Sequence, residues 1–162
     1  MPDLTPLAAS VGALLKERQQ NIAVADSSAG GLISASLLSV PGASAYYVGG
    51  IVSYTGVSRG TLLGISEEDM AKIGMRASTE PYAALIAKTV REKFGTTWAL
   101  SETGASGPTG NRYGDASGHA CFAVSGPVER TITLETRSAD REANMWAFTK
   151  AALELLEQCL KG

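Results

Sequence analysis

The chain has 162 residues, 44% of them hydrophobic and 19% charged, which is enough for one domain with its own core over residues 1–162. The formal net charge is −2, whereas a protein that binds nucleic acid regardless of sequence normally has a basic surplus. No signal-peptide pattern and no stretch of about 20 apolar residues occurs, so we expect a soluble cytoplasmic protein that binds neither nucleic acid nor membranes.

Few side chains are available for disulfides or metal ions. Cys121 and Cys159 lie far apart in apolar stretches, which predicts two buried thiols rather than a disulfide or a reactive thiol. His119 is the only histidine, which excludes a histidine-based metal cluster, and the acidic residues are scattered. We interpret His119 as structural or incidental, because no carboxylate or cysteine adjoins it in sequence. No metal and no cofactor is expected.

Hydrophobic periodicity and turn residues predict helices that alternate with strands early in the chain. Thr5 is expected to cap the first helix, with Pro6 at its first helical position. Later helices are predicted at residues 32–38, 55–63, from 66, 79–94 and 140–160, and strands at residues 21–26, 46–54, 97–102, 119–124 and 130–137. This order predicts an α/β fold class, a three-layer α/β/α sandwich around a mixed sheet of about five strands.

The turn after the first strand combines an acid, two hydroxyls and a glycine pair. Ser27 and Ser28 come at the carboxyl end of the strand, and Gly30 and Gly31 lead directly into a helix. Free N–H groups and the positive end of the helix dipole favour a nucleophile or an anionic ligand there. The alternative is a plain helix cap, in which a serine hydroxyl accepts hydrogen bonds from free N–H groups.

A second candidate segment follows the third strand and has few large side chains. It begins with Thr103, Gly104, Ala105, Ser106 and Gly107, and we interpret residues 103–118 as one loop. Its backbone can approach a ligand closely and present N–H groups to negative charge. The alternative is a flexible connection, although loops of this length in compact domains are more often functional or disordered.

The third candidate segment contains Tyr54 and Arg59, near the end of the second strand. Arginine in such a place suits phosphate or carboxylate recognition, and the alternative is a solvated helix charge. Ligands of such sheets bind beyond the carboxyl ends of the strands, so we expect all three segments to converge. Asp140, Arg141 and Glu142 are instead interpreted as a capping cluster with surface ion pairs.

Together these segments resemble the CinA C-terminal domain family, the nicotinamide-nucleotide amidohydrolase group. Residues 25–31 are similar to the family motif A-E-S-C-T-G-G, and residues 103–110 match T-G-I-A-G-P-x-G-G. Residues 40–45 are similar to V-P-G-S-S-A, and residues 50–65 align with G-x-V-x-Y-S-N-x-A-K-x-x-L-G-V. The resemblance covers almost the whole chain in order.

The resemblance implies a three-layer α/β/α fold and an activity in nicotinamide-nucleotide salvage. This activity converts nicotinamide mononucleotide and water into nicotinate mononucleotide and ammonia, without a metal. Ser27 takes the position of the family's serine and Arg59 that of its lysine, and both are candidate catalytic residues. The candidate substrate-binding residues are Ser28, Gly30, Gly31, Tyr54, Thr103, Gly104, Ala105, Ser106 and Gly107.

Several positions depart from the family pattern. Arg59 stays protonated under ordinary conditions and is a poor general base, which leaves Asp26 or a water as the nearby candidate. Met145 stands where the family has a second arginine in its last helix.

These departures leave two hypotheses for the function. One hypothesis is an amidohydrolase, for nicotinamide mononucleotide or a different amide. The other is a catalytically impaired relative that binds a small ligand or a protein partner. The apolar pair Tyr46 and Tyr47, expected to be exposed, favours a homo-oligomer.

Overall fold

Five strands form one sheet, whose two faces are covered by helices. The computed structural model describes residues 2–162. The strands are β1 (Ile22–Asp26), β2 (Tyr47–Val52), β3 (Trp98–Ala105), β4 (His119–Ser125) and β5 (Arg130–Glu135), in the spatial order β2-β1-β3-β4-β5. Strands β2, β1 and β3 are parallel, and β4 and β5 are antiparallel to their neighbours. The predicted mixed sheet and α/β fold class are confirmed.

Local capping residues set most helix boundaries. The helices are α1 (Thr5–Glu17), α2 (Leu32–Leu38), α3 (Gly56–Leu63), α4 (Glu67–Lys72), α5 (Glu80–Phe94) and α6 (Arg141–Lys161), with a 3₁₀ turn at Ala43–Ala45. Thr55 caps α3 through a reciprocal capping box with Ser58. The prediction that Thr5 caps α1 is wrong, because Thr5 lies inside the helix and its N–H donates to Asp3 Oδ1 at 3.0 Å.

The two faces of the sheet have cores of different composition. On one face, large side chains such as Leu100, Phe122 and Phe148 pack with α1, α2 and α6. On the other, the small strand residues Ala23 and Ala99 belong to the cluster that includes the apolar side of α5. Because the strands present small side chains there, α5 packs closely against β1, β3 and β4 at the centre of the sheet.

Strand β3 continues three residues beyond its predicted end at Glu102. Thr103, Gly104 and Ala105 pair with residues 119–121 of β4, so the loop consists of residues 106–118. A Cβ on Gly104 would lie 2.5 Å from the carbonyl oxygen of His119. Glycine at this position therefore permits close pairing of β3 with β4, which the loop interpretation of residues 103–118 did not include.

Two predictions about single side chains have opposite outcomes. Cys121 and Cys159 are buried free thiols, as expected. Tyr46 was expected to be exposed, but it is fully buried and its hydroxyl donates to the carbonyl of Leu37 at 2.5 Å. The homo-oligomer stays a prediction without this support.

Within residues 2–162, no helix combines the length and apolar character needed to cross a membrane.

Candidate functional site

The structure brings the three candidate segments together at the carboxyl edge of the parallel strands. The main cleft, about 340 Å³ in volume, is lined by Ser27, Tyr54, Arg59, Thr103 and Gly104 among others. The side pocket, about 210 Å³, is lined by Ser28, Ala105, Ser106 and Gly107 among others. Tyr54, Gly104 and Asn111 line both cavities, so the two adjoin one another.

The glycine pair lies outside this lining. Gly30 and Gly31 have φ values of +69° and +93°, a region that glycine adopts without the strain that a side chain brings. Gly31 directly precedes α2 as its N-cap residue, and because it has no side chain it cannot cap the helix itself. The two glycines therefore turn the chain from β1 into α2, and the structure places neither of them in the main cleft or the side pocket.

Residues 27–29, called here the serine turn, are held by one carboxylate. The N–H groups of Ser27 and Ala29 each donate to Glu102 Oε2 at 2.9 Å, and the hydroxyl of Ser28 donates to Glu102 Oε1. Ser27 is half-buried in the main cleft wall, whereas Ser28 is buried. Neither serine caps α2, so the plain helix-cap interpretation is wrong.

Glu102 is the residue of this site that sequence reasoning missed. It was assigned only as the last residue of a strand, yet it is 2% exposed and three donors converge on it. Burial raises the pKa of its carboxyl from 4.5 to about 7, although the hydrogen bonds from the serine turn oppose that shift. An acid within an otherwise buried strand was the available signal, because charged residues are rarely buried without a partner.

Asp26 is directed away from the main cleft. Its carboxylate accepts hydrogen bonds from Ile33 N at 3.2 Å and from the backbone and hydroxyl of Ser34 at 3.4 and 3.1 Å. Burial raises the pKa of Asp26, and these hydrogen bonds partly offset the rise. Asp26 thus acts as the cap of α2 from seven residues upstream, which leaves the proposed role of general base without geometric support.

Arg59 lies in the wall of the main cleft and is only 4% exposed. Its Nε donates to the carbonyl of Ile65 at 3.1 Å, and its Nη2 is 2.8 Å from Glu67 Oε1. Burial by itself lowers the pKa of Arg59, but contacts with Glu67 and Tyr82 outweigh burial and raise it. The guanidinium is therefore a fixed positive charge that can bind an anion but cannot accept a proton.

Arg141 connects the two sides of the side pocket. Its Nη1 donates to the carbonyl of Gly107, and its Nη2 donates to Tyr54 Oη at 3.1 Å. Within residues 2–162 the predicted surface ion pairs of residues 140–142 are not formed, although Asp140 caps α6 by accepting a hydrogen bond from Ala143 N at 3.1 Å. Asn144 adds a second support, because its side chain donates to the carbonyl of Ser106 at 2.9 Å.

Replacing Arg141 with alanine is expected to speed amide hydrogen exchange about tenfold in residues 106–110, since a hydrogen bond from a charged group contributes about 1.5–3 kcal/mol. Exchange in β1 should not change, because the guanidinium donates to Gly107 and Tyr54, neither of which belongs to β1. Arg141→Lys is the matched control, because it keeps the charge but cannot span both acceptors. Equal exchange in wild type and Arg141→Ala, measured by mass spectrometry, would contradict the bridging role.

His119 has partners that its sequence neighbourhood does not show. Its Nδ1 is hydrogen-bonded to Glu135 and its Nε2 is 2.8 Å from the carbonyl of Ser78, with Cys121 Sγ 3.8 Å away. Burial lowers the pKa of His119, but Glu135, Ser78 and Asp115 outweigh burial and raise it. Because Ser78 lines the main cleft, His119 supports the cleft wall from behind.

Three buried polar atoms within residues 2–162 have no hydrogen-bond partner: Ser53 Oγ, Arg59 Nη2 and Ser106 Oγ. Arg59 Nη2 contacts Glu67, but without the alignment that a hydrogen bond requires. All three residues line the main cleft or the side pocket. Buried polar groups in folded proteins are nearly always satisfied by protein or by water, so these atoms are available to polar groups that enter the cavities.

The acidic and metal-ligating side chains do not combine into a metal centre. No group of three or more His, Cys, Asp or Glu side chains in the described part of the chain has an arrangement that could hold an ion. The polar side chains at this edge include serine hydroxyls, the buried carboxylate of Glu102 and the fixed guanidinium of Arg59.

Comparisons with known proteins agree with this fold. A CinA-like protein from Gloeobacter violaceus is 35% identical over 159 residues, 96% of this chain and 37% of that protein. A CinA-like protein from Chlorobium limicola is 36% identical over 92% of this chain and 35% of its own length. The chain thus spans little more than a third of these two relatives.

Solved structures show the same architecture at lower sequence identity. A CinA superfamily protein from Klebsiella pneumoniae has a TM-score of 0.90 at 22% identity, with 99% of each chain covered. The competence/damage inducible protein CihA from Agrobacterium tumefaciens has a TM-score of 0.86 at 23% identity, covering 100% of this chain and 98% of that one. The family profile of the CinA C-terminal domain matches residues 4–160. The chain therefore belongs to the CinA C-terminal domain family.

Proposed function

We propose that this protein is an amidohydrolase that converts nicotinamide mononucleotide, or a closely similar nucleotide amide, into the corresponding acid and ammonia. The observation that carries the proposal is that two buried hydroxyls without a partner, Ser53 Oγ and Ser106 Oγ, and the buried guanidinium of Arg59 all border the cavities beside Ser27. A nucleotide amide has the polar groups that such a lining lacks: a phosphate, sugar hydroxyls and a carboxamide. The family assignment supports the same reaction class.

Ser27 is the proposed nucleophile. Its Oγ forms a bond to the carboxamide carbon, and the serine proton is transferred to the departing nitrogen, which leaves as ammonia. Water then attacks the resulting ester, releases the nicotinate product and restores the hydroxyl. The hydroxyl of Ser106 and the backbone amides of residues 104–107 are proposed to stabilise the negative oxygen of each tetrahedral intermediate.

The opposite wall of the main cleft is proposed to bind the substrate phosphate. Arg59 is buried there, and Arg112 lines the same wall with a largely exposed side chain. The N-terminus of α3, where Thr55 and Gly56 also line the main cleft, adds a favourable dipole for negative charge. Tyr54, which is 59% exposed, offers an aromatic surface to the pyridinium ring.

The test is the incubation of purified protein with nicotinamide mononucleotide and the measurement of ammonia and nicotinate mononucleotide. The proposal requires the two products to appear in equal amounts. Incubation with nicotinate mononucleotide, which has no carboxamide, is the matched control and should release no ammonia. Product formation no faster than in the absence of protein would exclude this substrate.

The second candidate function is ligand binding without turnover. The specific observation in its favour is Arg59, a guanidinium paired with Glu67 at the position where the family has a lysine. Titration calorimetry with the mononucleotide, run beside the ammonia assay, separates the two functions. Binding with no ammonia release supports a binding protein, whereas release at a measurable rate excludes it.

Replacing Arg59 with lysine is expected to raise ammonia release at least about tenfold, if the missing function is proton acceptance by a desolvated amine. Lysine can lose its proton in a buried site, whereas arginine cannot. The free energy of unfolding is expected to fall by about 1 kcal/mol, because lysine loses the hydrogen bond that Arg59 Nε donates to the carbonyl of Ile65. An unchanged or lower rate would show that proton acceptance does not depend on position 59.

We also propose that the protein acts in the cytoplasm on a small nucleotide-like substrate, without metal or cofactor, and as a homo-oligomer. Light scattering of the purified protein measures the oligomeric state directly. A mass equal to one chain at the concentration of the activity assay would exclude the homo-oligomer. Activity that survives treatment with a strong chelator is expected for a metal-free reaction.

A further inference from the structure

One buried carboxylate organises the whole serine turn. Glu102 lies on β3, 74 residues from Ser28, yet it accepts a hydrogen bond from each residue of the turn. It is 2% exposed, and no lysine, arginine or histidine in the described residues lies within ion-pair distance of it. The position of Ser27, and hence of its hydroxyl in the main cleft, therefore depends on this one side chain.

An ionised carboxylate accepts the three donors better than a protonated one does. Two N–H groups share Oε2 and the Ser28 hydroxyl donates to Oε1, so an anion satisfies all three at once. A protonated Glu102 carries its own hydrogen, which competes with Ser28 and weakens acceptance at the remaining oxygen. Protonation therefore weakens the hydrogen bonds between Glu102 and the serine turn, although it also removes a buried charge.

We propose that Glu102 is a positioning residue, which holds Ser27 in its reactive geometry when ionised and releases the serine turn when protonated. The proposal rests on the amidohydrolase function proposed above. The pH dependence of the site then arises from the ionisation of Glu102 on β3 rather than from that of the nucleophile Ser27. No proton transfer between Glu102 and the substrate is involved, because the hydrogen bonds of Glu102 all go to the serine turn.

The charged groups around Glu102 are few. Asp26 on β1 raises the pKa of Glu102 by charge repulsion. Helix α2 has no titratable residue, and Phe122 is the β4 residue opposite Glu102. On α6, Arg141 is directed toward Gly107 and Tyr54 instead. Burial is the largest cause of the raised pKa of about 7. Glu102 therefore changes between its ionised and protonated forms near neutral pH.

The experiment combines NMR and kinetics on wild type, Glu102→Gln and Asp26→Asn. In the wild type, the amide resonances of Ser27 and Ala29 are expected to titrate together with a midpoint near the pKa of about 7 that burial gives Glu102. Glutamine is isosteric and does not titrate, so these resonances should not shift between pH 5.5 and 8.5 in Glu102→Gln. In Asp26→Asn the titration should persist at a lower pH, because the repelling charge is gone.

The kinetic readout separates positioning from binding. Glu102→Gln is expected to lower kcat at pH 8 at least about tenfold with KM within about twofold, and to abolish the decline of kcat below neutral pH. Amides that do not titrate in the wild type, or a wild-type kcat and pH profile in Glu102→Gln, would overturn the proposal. If the amides titrate as expected but the wild type releases no ammonia, the amidohydrolase function fails while control of the serine turn by Glu102 stands.

Discussion

Ammonia release from nicotinamide mononucleotide is expected to fall by at least about 1,000-fold when Ser27 is replaced with alanine, because removal of the nucleophile ends covalent catalysis. The loss should appear in kcat, with the affinity for substrate retained. The melting temperature should change by only a few degrees, since the Ser27 side chain is half-buried and its N–H, which bonds to Glu102, is kept in alanine. Initial rates of ammonia formation and a thermal melt measure both quantities.

Ser28→Ala is the matched control for that variant. It removes the buried hydroxyl that donates to Glu102 Oε1 but keeps both N–H donors of the serine turn. The expected loss of rate is about tenfold, because this variant loses one hydrogen bond that holds the serine turn but keeps the nucleophile. A loss that is larger for Ser28→Ala than for Ser27→Ala, at equal stability, would make Ser28 the nucleophile and contradict the assignment of Ser27.

Replacing Glu102 with glutamine is expected to increase the free energy of unfolding at pH 8 by about 3 kcal/mol, and to leave it almost unchanged at pH 4.5. In the unfolded chain Glu102 ionises near its ordinary pKa of 4.5, whereas burial delays ionisation in the fold to about 7. The folded state therefore loses stability as the pH rises from 4.5 through 7. Glutamine has no such loss, because it remains neutral over this whole pH range.

Urea denaturation of wild type and Glu102→Gln at pH 4.5, 6 and 8 measures this difference directly. The difference between the two proteins at each pH isolates Glu102, because all other titratable groups are shared. A difference that is the same at all three values would show that Glu102 ionises in the fold at its ordinary pKa. If Glu102→Gln is more stable than wild type at pH 8 but has a lower kcat, then Glu102 lowers the stability of the fold while it supports catalysis.

The elements of this fold could be predicted from local sequence. Alternating apolar segments and strong turn residues located all five strands and the helices between them, and the same pattern gave the mixed sheet. The meeting of Ser27, Tyr54 and Gly104 at one edge also followed, because parallel strands end on the same side of a sheet. Boundaries were less accurate where pairing decided them, as at Thr103–Ala105 of β3, which pairs with β4.

The polar contacts of the site could not be predicted in this way. Glu102 reaches the serine turn across 73–75 residues of sequence, His119 meets Glu135 across 16, and Arg141 meets Tyr54 across 87. Such contacts depend on strand register and on which face each side chain occupies, and a shift of one residue reverses every face. No local pattern encodes them.

The sequence by itself determined the strands, the helices and the edge at which Ser27 lies, because hydrophobic periodicity and turn preferences act over only a few residues. Only the tertiary structure decided that Asp26 caps α2 and that Glu102 holds the serine turn. Both are buried acids on neighbouring strands, β1 and β3, and sequence alone gives them the same character. The positions of hydrogen-bond donors around each carboxylate distinguish the two, and those positions exist only after the sheet has formed and excluded water.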